Sequence, residues 1–152
     1  MDHPTWRRED YEISTDPTRL QIDVVHGFLR TAYWCEGVPR EVVERAARHS
    51  LNFGLFRGPE QVGYARAVTD RATFGYLMDV FVLPAHRGRG LARWLVTTIL
   101  GHPELQGFRR WMLATKDAHR VYAGVGFRPC ARPDRLMEIV VPDAYGVRRE
   151  RP

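Results

Sequence analysis

The stretch VFVLPAHRGRGLARWLV, residues 80–96, runs from an apolar segment through a loop of glycines and arginines into a second apolar segment. Its first half belongs to the apolar run 76–83, which is typical of a central strand covered on both faces and is stopped by Pro84. From Leu91 onward, apolar residues repeat at four-residue steps until Gly101, which predicts a helix. The order is therefore strand, glycine loop, helix.

The loop between the strand and the helix has the properties of an anion site. A helix N-terminus presents backbone N–H groups without partners and carries partial positive charge, so phosphates bind there readily. Gly88 and Gly90 can take positive φ and let an anion approach the backbone. The alternative is a tight turn whose arginines only face water. The spacing matches neither a P-loop nor G-x-G-x-x-G, because Arg93 stands where the third glycine would be.

Two motifs give the loop a family context. R-x-x-G-x-A begins at Arg87, and A-x-x-x-Y-x-x-x-G-F begins at Ala118 and ends at Phe127. Together they resemble the paired motifs of the GNAT superfamily of acyl-CoA-dependent N-acyltransferases. The resemblance implies the α/β (α+β) fold of that superfamily, with a mixed central sheet of about six to seven strands flanked by about four helices.

The rest of the chain divides into elements that suit one domain, 1–152, with loose ends at about 1–9 and 143–152. A strand is predicted near Tyr11, followed by a helix that starts at Asp16-Pro17. The further predicted elements are a helix at 41–49, a hairpin of 51–56 and 61–69, a strand at 109–115, a helix at 116–126 and a last strand at 136–141. The unit from 76 to 115 predicts a right-handed crossover between parallel strands.

Composition limits the classes of function. No apolar run reaches the ~20 residues of a membrane span, and the charged N-terminal residues do not resemble a signal peptide, so a cytoplasmic protein is expected. Cys35 and Cys130 are too few for a disulfide framework or a zinc site, and no metal is expected. The net charge of +5 is scattered along the sequence rather than gathered in a stripe, so neither nucleic acid nor a membrane is an expected partner.

The resemblance implies a set of residues that bind the acyl donor, acetyl-CoA. The loop and helix start would hold the pyrophosphate, and the preceding strand would pair with the pantetheine arm through its backbone. Relatives often carry Asn seven residues before the motif tyrosine, and Thr115 stands there in this chain, so the polar contact to pantetheine is altered. The implied residues are Phe81, Val82, Leu83, Arg87, Gly88, Arg89, Gly90, Leu91, Ala92, Thr115, His119 and Tyr122.

Two residues are the candidates for proton transfer. Tyr122 corresponds to the family tyrosine that protonates the departing thiolate, and a tyrosine with a pKa near ~10 holds its proton at neutral pH. Asp79 is the only charge in an apolar strand, and a buried carboxylate is costly unless it is paired or used. It could act as the general base, or it could make a structural hydrogen bond to a neighbouring loop.

The acceptor side is predicted from aromatic residues alone. In this fold the first helices and the sheet edge line it, which indicates Tyr33, Trp34, Tyr64 and Phe74. The leading hypothesis is transfer of an acetyl group to a primary amine of a small molecule or peptide by direct attack, in a chain that is a candidate homodimer. The alternatives are a catalytically idle coenzyme A-binding sensor and a nucleic-acid binder.

Overall fold

The fold is built on one six-stranded sheet with the strands in chain order, as seen in a computed structural model that describes residues 2–146. The strands are β1 (Thr5–Arg8), β2 (Tyr11–Ser14), β3 (Leu51–Arg57), β4 (Glu60–Thr69), β5 (Phe74–Val82) and β6 (Arg110–Met112). Neighbours are antiparallel from β1 to β5, and β6 lies parallel to β5. The sheet is therefore mixed, as the sequence predicts.

Within the described residues, four α-helices cover the two faces of the sheet. They are α1 (Ile22–Leu29), α2 (Arg40–Arg48), α3 (Leu91–Leu100) and α4 (His119–Ala123). No helix among residues 2–146 is long and apolar enough to cross a bilayer.

Alternation along the central strands sends their side chains into two separate cores. Ala65 and Ala67 of β4 face α3, whose Leu95 is fully buried against them. On the opposite face, Tyr64 of the same strand packs with Phe81 and with the apolar sides of α1 and α2. Small residues on the first face let α3 lie close to the sheet. The packing of α3 on this face of the sheet fixes the direction in which the N-terminus of α3 points.

Several predicted elements are confirmed. The hairpin forms β3 and β4 around the turn at 57–60, and the strand–loop–helix unit forms β5 and α3. Gly101 is the C-cap of α3, and the crossover to β6 is parallel. The sequence patterns of these elements are long enough to fix their type.

Other predictions are wrong in extent or in kind. Residues 136–141 are not a strand and lie exposed, because no strand of this chain pairs with them within the described part. The predicted helix at 116–126 is only the five residues of α4. The helix expected from Asp16 is a single 3-10 turn at Pro17–Arg19, and α1 follows it. Residues 5–8, in the segment expected to be loose, form β1. Of the other expected loose end, residues 147–152 lie outside the described residues.

Candidate active site

The loop before α3 is shaped as an anion nest. Gly88 and Gly90 have φ of 80° and 72°, and a Cβ at either position would meet no atom within 4 Å. The N–H groups of residues 88–93 donate to no acceptor among residues 2–146, and the first amide of the helix region with a partner is Trp94, which donates to Gly90 O. Six consecutive free donors at a helix N-terminus can hold a phosphate or pyrophosphate.

The arginines of the loop differ in what they contact. Arg87 turns back, and its Nε donates to the carbonyl of Val82 at 2.9 Å. Arg93 Nη2 donates to the carbonyl of Gly124 at 3.1 Å, which ties α3 to the end of α4. Arg89 is exposed beside the free amides. The loop therefore carries positive charge. One of its guanidinium groups, that of Arg87, is bonded to the end of β5.

The C-terminal half of β5 has an open backbone edge. β5 pairs with β6 only from Phe74 to Tyr76, whereas its pairing with β4 continues to Val82. An extended ligand can add to such an edge as a further strand. Among the residues predicted to contact pantetheine, Phe81 and Val82 lie on this half of β5, and the Leu83 N–H is bonded to Val62 O of β4 at 2.8 Å.

Asp79 lies in a β-bulge of β5. Tyr64 pairs with Phe81 and Arg66 with Met78, so two residues of β5 stand opposite Ala65 alone. Asp79 takes φ of 57°, a conformation in which Asp and Asn are enriched among residues other than glycine. The bulge turns its side chain toward the second core and out of the regular alternation.

Both carboxylate oxygens of Asp79 have partners. Oδ2 accepts from Arg66 Nε at 2.6 Å, and Oδ1 accepts from the indole Nε1 of Trp34 at 2.9 Å. The two ionic side chains are only 13% and 9% exposed. This arrangement supports the structural alternative for Asp79, although each oxygen keeps a second lone pair for a ligand.

Beyond Tyr76, β5 no longer pairs with β6, which leaves a gap between β5 and the chain that follows β6. The turn after α1 contacts both sides of this gap. Trp34 contacts Asp79 on the β5 side, and the hydroxyl of Tyr33 accepts the N–H of Lys116 at 3.0 Å on the other. The two rings meet edge to face, with centroids 5.1 Å apart. These aromatic residues therefore stand at the mouth of the gap, beside Asp79.

Tyr122 projects from α4 among apolar neighbours. Its ring lies against that of Phe127, with centroids 6.0 Å apart. Burial raises the pKa of Tyr122 to about 12, with smaller contributions from Tyr33 and Asp117. The hydroxyl is therefore a firmly protonated donor. Tyr122, Thr115 and His119 are among the residues that line a cavity of about 570 Å³. Thr115 Oγ1 also accepts the N–H of Ala118 at 3.0 Å, just before α4.

Two of the predicted acceptor residues lie elsewhere. Tyr64 is buried, with its hydroxyl bonded to the Oδ1 of Asn52, so it is a core residue. Phe74 begins β5, five residues before Asp79, which is about 16 Å at ~3.3 Å per residue. The structure therefore brings Tyr33 and Trp34 to Asp79, and leaves Phe74 apart.

Sequence reasoning missed Arg66. It also donates to Ser50 Oγ at 3.1 Å, so it connects β4 to the end of α2. An available signal was charge: Arg66 is the lone cation within β4 and Asp79 the lone anion within the next strand. Cys35 is no nucleophile, because burial foremost, and then the Asp79 carboxylate, raise the pKa of its thiol to about 12.

Comparison with known proteins places this geometry in a family. The sequence profile described as the acetyltransferase (GNAT) family matches residues 9–127. A "putative acetyltransferase" of Gibberella zeae is 38% identical over 140 residues, covering 77% of this chain and 78% of its own length.

Solved structures agree. A GNAT-family protein of Xanthomonas campestris pv. campestris is 47% identical with a TM-score of 0.86, over 90% of this chain and 96% of its own. A Clostridium acetobutylicum protein described as a predicted acetyltransferase with acetyl-CoA shares the fold at 14% identity and a TM-score of 0.62, over 86% and 94%. By profile, sequence and structure, the chain belongs to the GNAT acetyltransferase family.

Proposed function

We propose that this protein transfers the acetyl group of acetyl-CoA to a primary amine of a small molecule or peptide by direct attack. The observation that carries the proposal is the row of free amides at 88–93, which follows the open edge of β5 after the 3-10 turn Pro84–His86. A pyrophosphate and an extended arm are the two parts of coenzyme A that such a pair of features fits. The Clostridium relative, whose description includes acetyl-CoA, shares this fold.

The donor would be held by the residues of the loop and of β5. The amides of Gly88 to Ala92 would take the pyrophosphate, with Arg89 free to add charge at its rim. Phe81 and Val82 would offer backbone to the pantetheine arm. The Val82 carbonyl already accepts from Arg87, but a carbonyl has two lone pairs and can accept a second donor.

Acetyl-CoA would supply an activated thioester and a thiolate leaving group. On the protein side, the backbone N–H groups of the β5 edge would polarise the carbonyl. Tyr122 would hold a proton on Oη for the departing sulfur, and its raised pKa keeps that proton in place throughout the neutral range. No enzyme nucleophile is involved, in keeping with the inert thiol of Cys35.

Asp79 is proposed to receive the acceptor amine. Its carboxylate lies between Arg66 and the Trp34 indole, and its remaining lone pairs can hold an ammonium and take a proton from it. Tyr33 and Trp34 would form the aromatic wall beside it, which suits an amine with an apolar or aromatic body. The proposed compartment is the cytoplasm, as the sequence indicates.

Calorimetric titration with acetyl-CoA and with 3′-dephospho-CoA tests the donor site. Gly90→Glu places a carboxylate among the amides and should abolish binding. Gly107→Glu is the matched control, because Gly107 also has positive φ (77°) and open space but lies in the loop before β6. Loss of binding in the first variant alone supports the proposal. No binding by the folded wild type, or equal binding by both variants, would overturn it.

A further inference from the structure

The anion nest at residues 88–93 is held in place at both of its ends. At the helix end, Leu91 is buried in the core between α3 and the sheet, and the Trp94 N–H donates to Gly90 O at 3.0 Å. At the strand end, the loop leaves β5 through the 3-10 turn Pro84–His86. The amides of the nest make no bond within residues 2–146, so the position of the nest depends on what fixes these two ends.

The last residue of this turn is bonded to a distant strand. The hydroxyl of Tyr11 on β2 lies 2.8 Å from Nδ1 of His86, and the two rings meet edge to face with centroids 5.7 Å apart. In the sheet, β3 and β4 separate β2 from β5. Three strand spacings of ~4.8 Å make this distance about 14 Å. The hydrogen bond therefore ties the start of the loop to a strand with which β5 does not pair.

Tyr11 is a well-fixed anchor for this bond. It is buried, and it belongs to the same core cluster as Leu91. Its backbone pairs with Arg8 of β1 on one side and with Arg57 of β3 on the other. The guanidinium of Arg57 also lies over its ring, with Cζ 5.9 Å from the centroid. With neighbours on both sides, the Tyr11 ring has little room to move away from His86.

The bond has no substitute within the described residues. The Tyr11 hydroxyl and Nδ1 of His86 have each other as their only hydrogen-bond partner there. A buried hydroxyl that loses its partner costs free energy, so the contact is favoured before any ligand binds. The bond of Arg87 to the Val82 carbonyl is a second tether, but it joins the loop only to β5 itself. The pair of Tyr11 and His86 therefore fixes the loop relative to the rest of the sheet.

We propose that Tyr11 and His86 are positioning residues of the donor site, which hold the strand end of the anion nest where its amides meet the pyrophosphate of coenzyme A. The inference rests on the proposed function, because that function assigns this ligand to the nest. A loop that is ordered before binding loses less conformational entropy when the ligand binds, which raises affinity. Loss of the bond should therefore raise the Kd of the donor.

Two substitutions of His86 separate the hydrogen bond from the bulk of the ring. In His86→Asn, the amide atoms stand as many bonds from Cβ as Nδ1 does, so the bond to Tyr11 can be kept. In His86→Gln, they stand as many bonds from Cβ as Nε2 does, and the bond is lost. Tyr11→Phe removes the other partner, and Tyr76→Phe, near the start of β5, is its matched control.

Calorimetric titration with acetyl-CoA measures the effect of each variant. The Kd should rise about tenfold in His86→Gln and in Tyr11→Phe, and less than about twofold in His86→Asn and Tyr76→Phe. The double variant of Tyr11→Phe and His86→Gln should bind no more weakly than either single variant, because both remove the same bond. With 3′-dephospho-CoA the same factors are expected, since both ligands carry the pyrophosphate.

The outcomes separate this inference from the proposed function. A folded wild type that binds neither ligand overturns both. If the wild type binds, an unchanged Kd in His86→Gln, or an equal loss of affinity in His86→Asn and His86→Gln, overturns the positioning role alone. A loss for acetyl-CoA that is absent for 3′-dephospho-CoA would assign His86 to the 3′-phosphate and overturns it as well. Should Tyr11→Phe fail to fold, as judged by circular dichroism, the two His86 variants in the exposed turn decide the question.

Discussion

At the scale of single residues, the hydroxyl of Tyr122 is the group most directly tied to turnover. Tyr122→Phe keeps the ring against Phe127 and removes only the proton donor, so kcat should fall by about 10²-fold or more with coenzyme affinity unchanged. Tyr76→Phe is the matched control, because it removes a tyrosine hydroxyl near the start of β5. Steady-state kinetics and calorimetry on both variants check this, and an unchanged kcat in Tyr122→Phe would remove the residue from the mechanism.

The pH profile gives a second measure of the same residue. Burial raises the pKa of Tyr122 to about 12, so the acid form persists as pH rises past the ordinary tyrosine value of ~10. The wild-type kcat should therefore show no alkaline decline centred near pH ~10. A decline there, absent from Tyr122→Phe, would mean that the hydroxyl is exposed and not buried.

Arg66 and Asp79 form a buried ion pair near the site. Removing one member of a buried pair leaves an uncompensated charge, so Arg66→Leu should lower the free energy of unfolding by about 3–5 kcal/mol. Adding Asp79→Asn removes that charge, keeps the hydrogen-bond acceptor for Trp34 and suits positive φ. The double variant should therefore be more stable than Arg66→Leu alone.

Urea unfolding of the two variants measures this coupling. Arg7→Leu is the control, because Arg7 pairs with Glu12 at the surface and should cost at most about 1 kcal/mol. If the double variant is no more stable than Arg66→Leu, the charge of Asp79 is solvated and the pair contributes little.

The role of a single residue could be predicted from the sequence where that role depends only on its neighbours in the chain. Positive φ at Gly88 and Gly90 follows from a tight loop before a helix, so the anion nest was accessible from sequence. The partners of Asp79 were not, because the bulge that aims its side chain arises from the register between β4 and β5. Tyr64 and Tyr33 look alike as sequence, and only packing separates a core tyrosine from one at the mouth of the gap.

At the scale of elements, the turn between β4 and β5 depends on one carboxylate. Asp70 accepts hydrogen bonds from the N–H groups of Ala72, Thr73 and Phe74 and from the Thr73 hydroxyl. These bonds, led by the Thr73 hydroxyl, hold the pKa of Asp70 well below its ordinary value of 3.8. The turn sets the register of β5 on β4, and through it the bulge at Asp79.

Asp70→Ala should lower Tm at neutral pH, and the loss should depend on pH in a defined direction. Because the folded pKa lies below the unfolded one, the stabilisation is present above the unfolded value and is lost as pH falls through the folded one. The Tm difference from wild type should therefore be constant near neutrality and shrink below pH 3.8. Asp2→Ala controls for the change in net charge. A difference that does not change with pH would assign the effect to the side chain's shape.

The elements also show why one strand could be recognised but not placed. Residues 136–141 have the composition of a strand, but a strand needs a partner, and no strand among residues 2–146 pairs with them. The hairpin of β3 and β4 carries its partner next to it in sequence and was fully predictable. The difference is the range of the contact. Pairing between adjacent segments can be predicted from the sequence, and pairing between distant segments or between chains cannot.

At the scale of the whole molecule, two cores share one sheet. Adjacent residues of the same strands face opposite layers: Ala65 and Val82 face α3, whereas Tyr64 and Phe81 face α1 and α2. Loss of one layer therefore loosens the strands that support the other. This connection is the physical reason to expect that the chain unfolds as one domain, as its length and composition predict.

Leu95→Ala tests that expectation. Leu95 is fully buried between α3 and the sheet, and truncation should cost about 2–5 kcal/mol. In hydrogen exchange by mass spectrometry, the most protected amides of α1 and α2 should lose as much free energy of opening as those of α3, although the substitution touches neither helix. Val43→Ala on α2 should produce the reverse, with α3 affected equally, and Val68→Ala at the surface should change neither. If Leu95→Ala weakens α3 while α1 and α2 keep their protection, the two faces unfold separately and the expectation of a single cooperative domain is wrong.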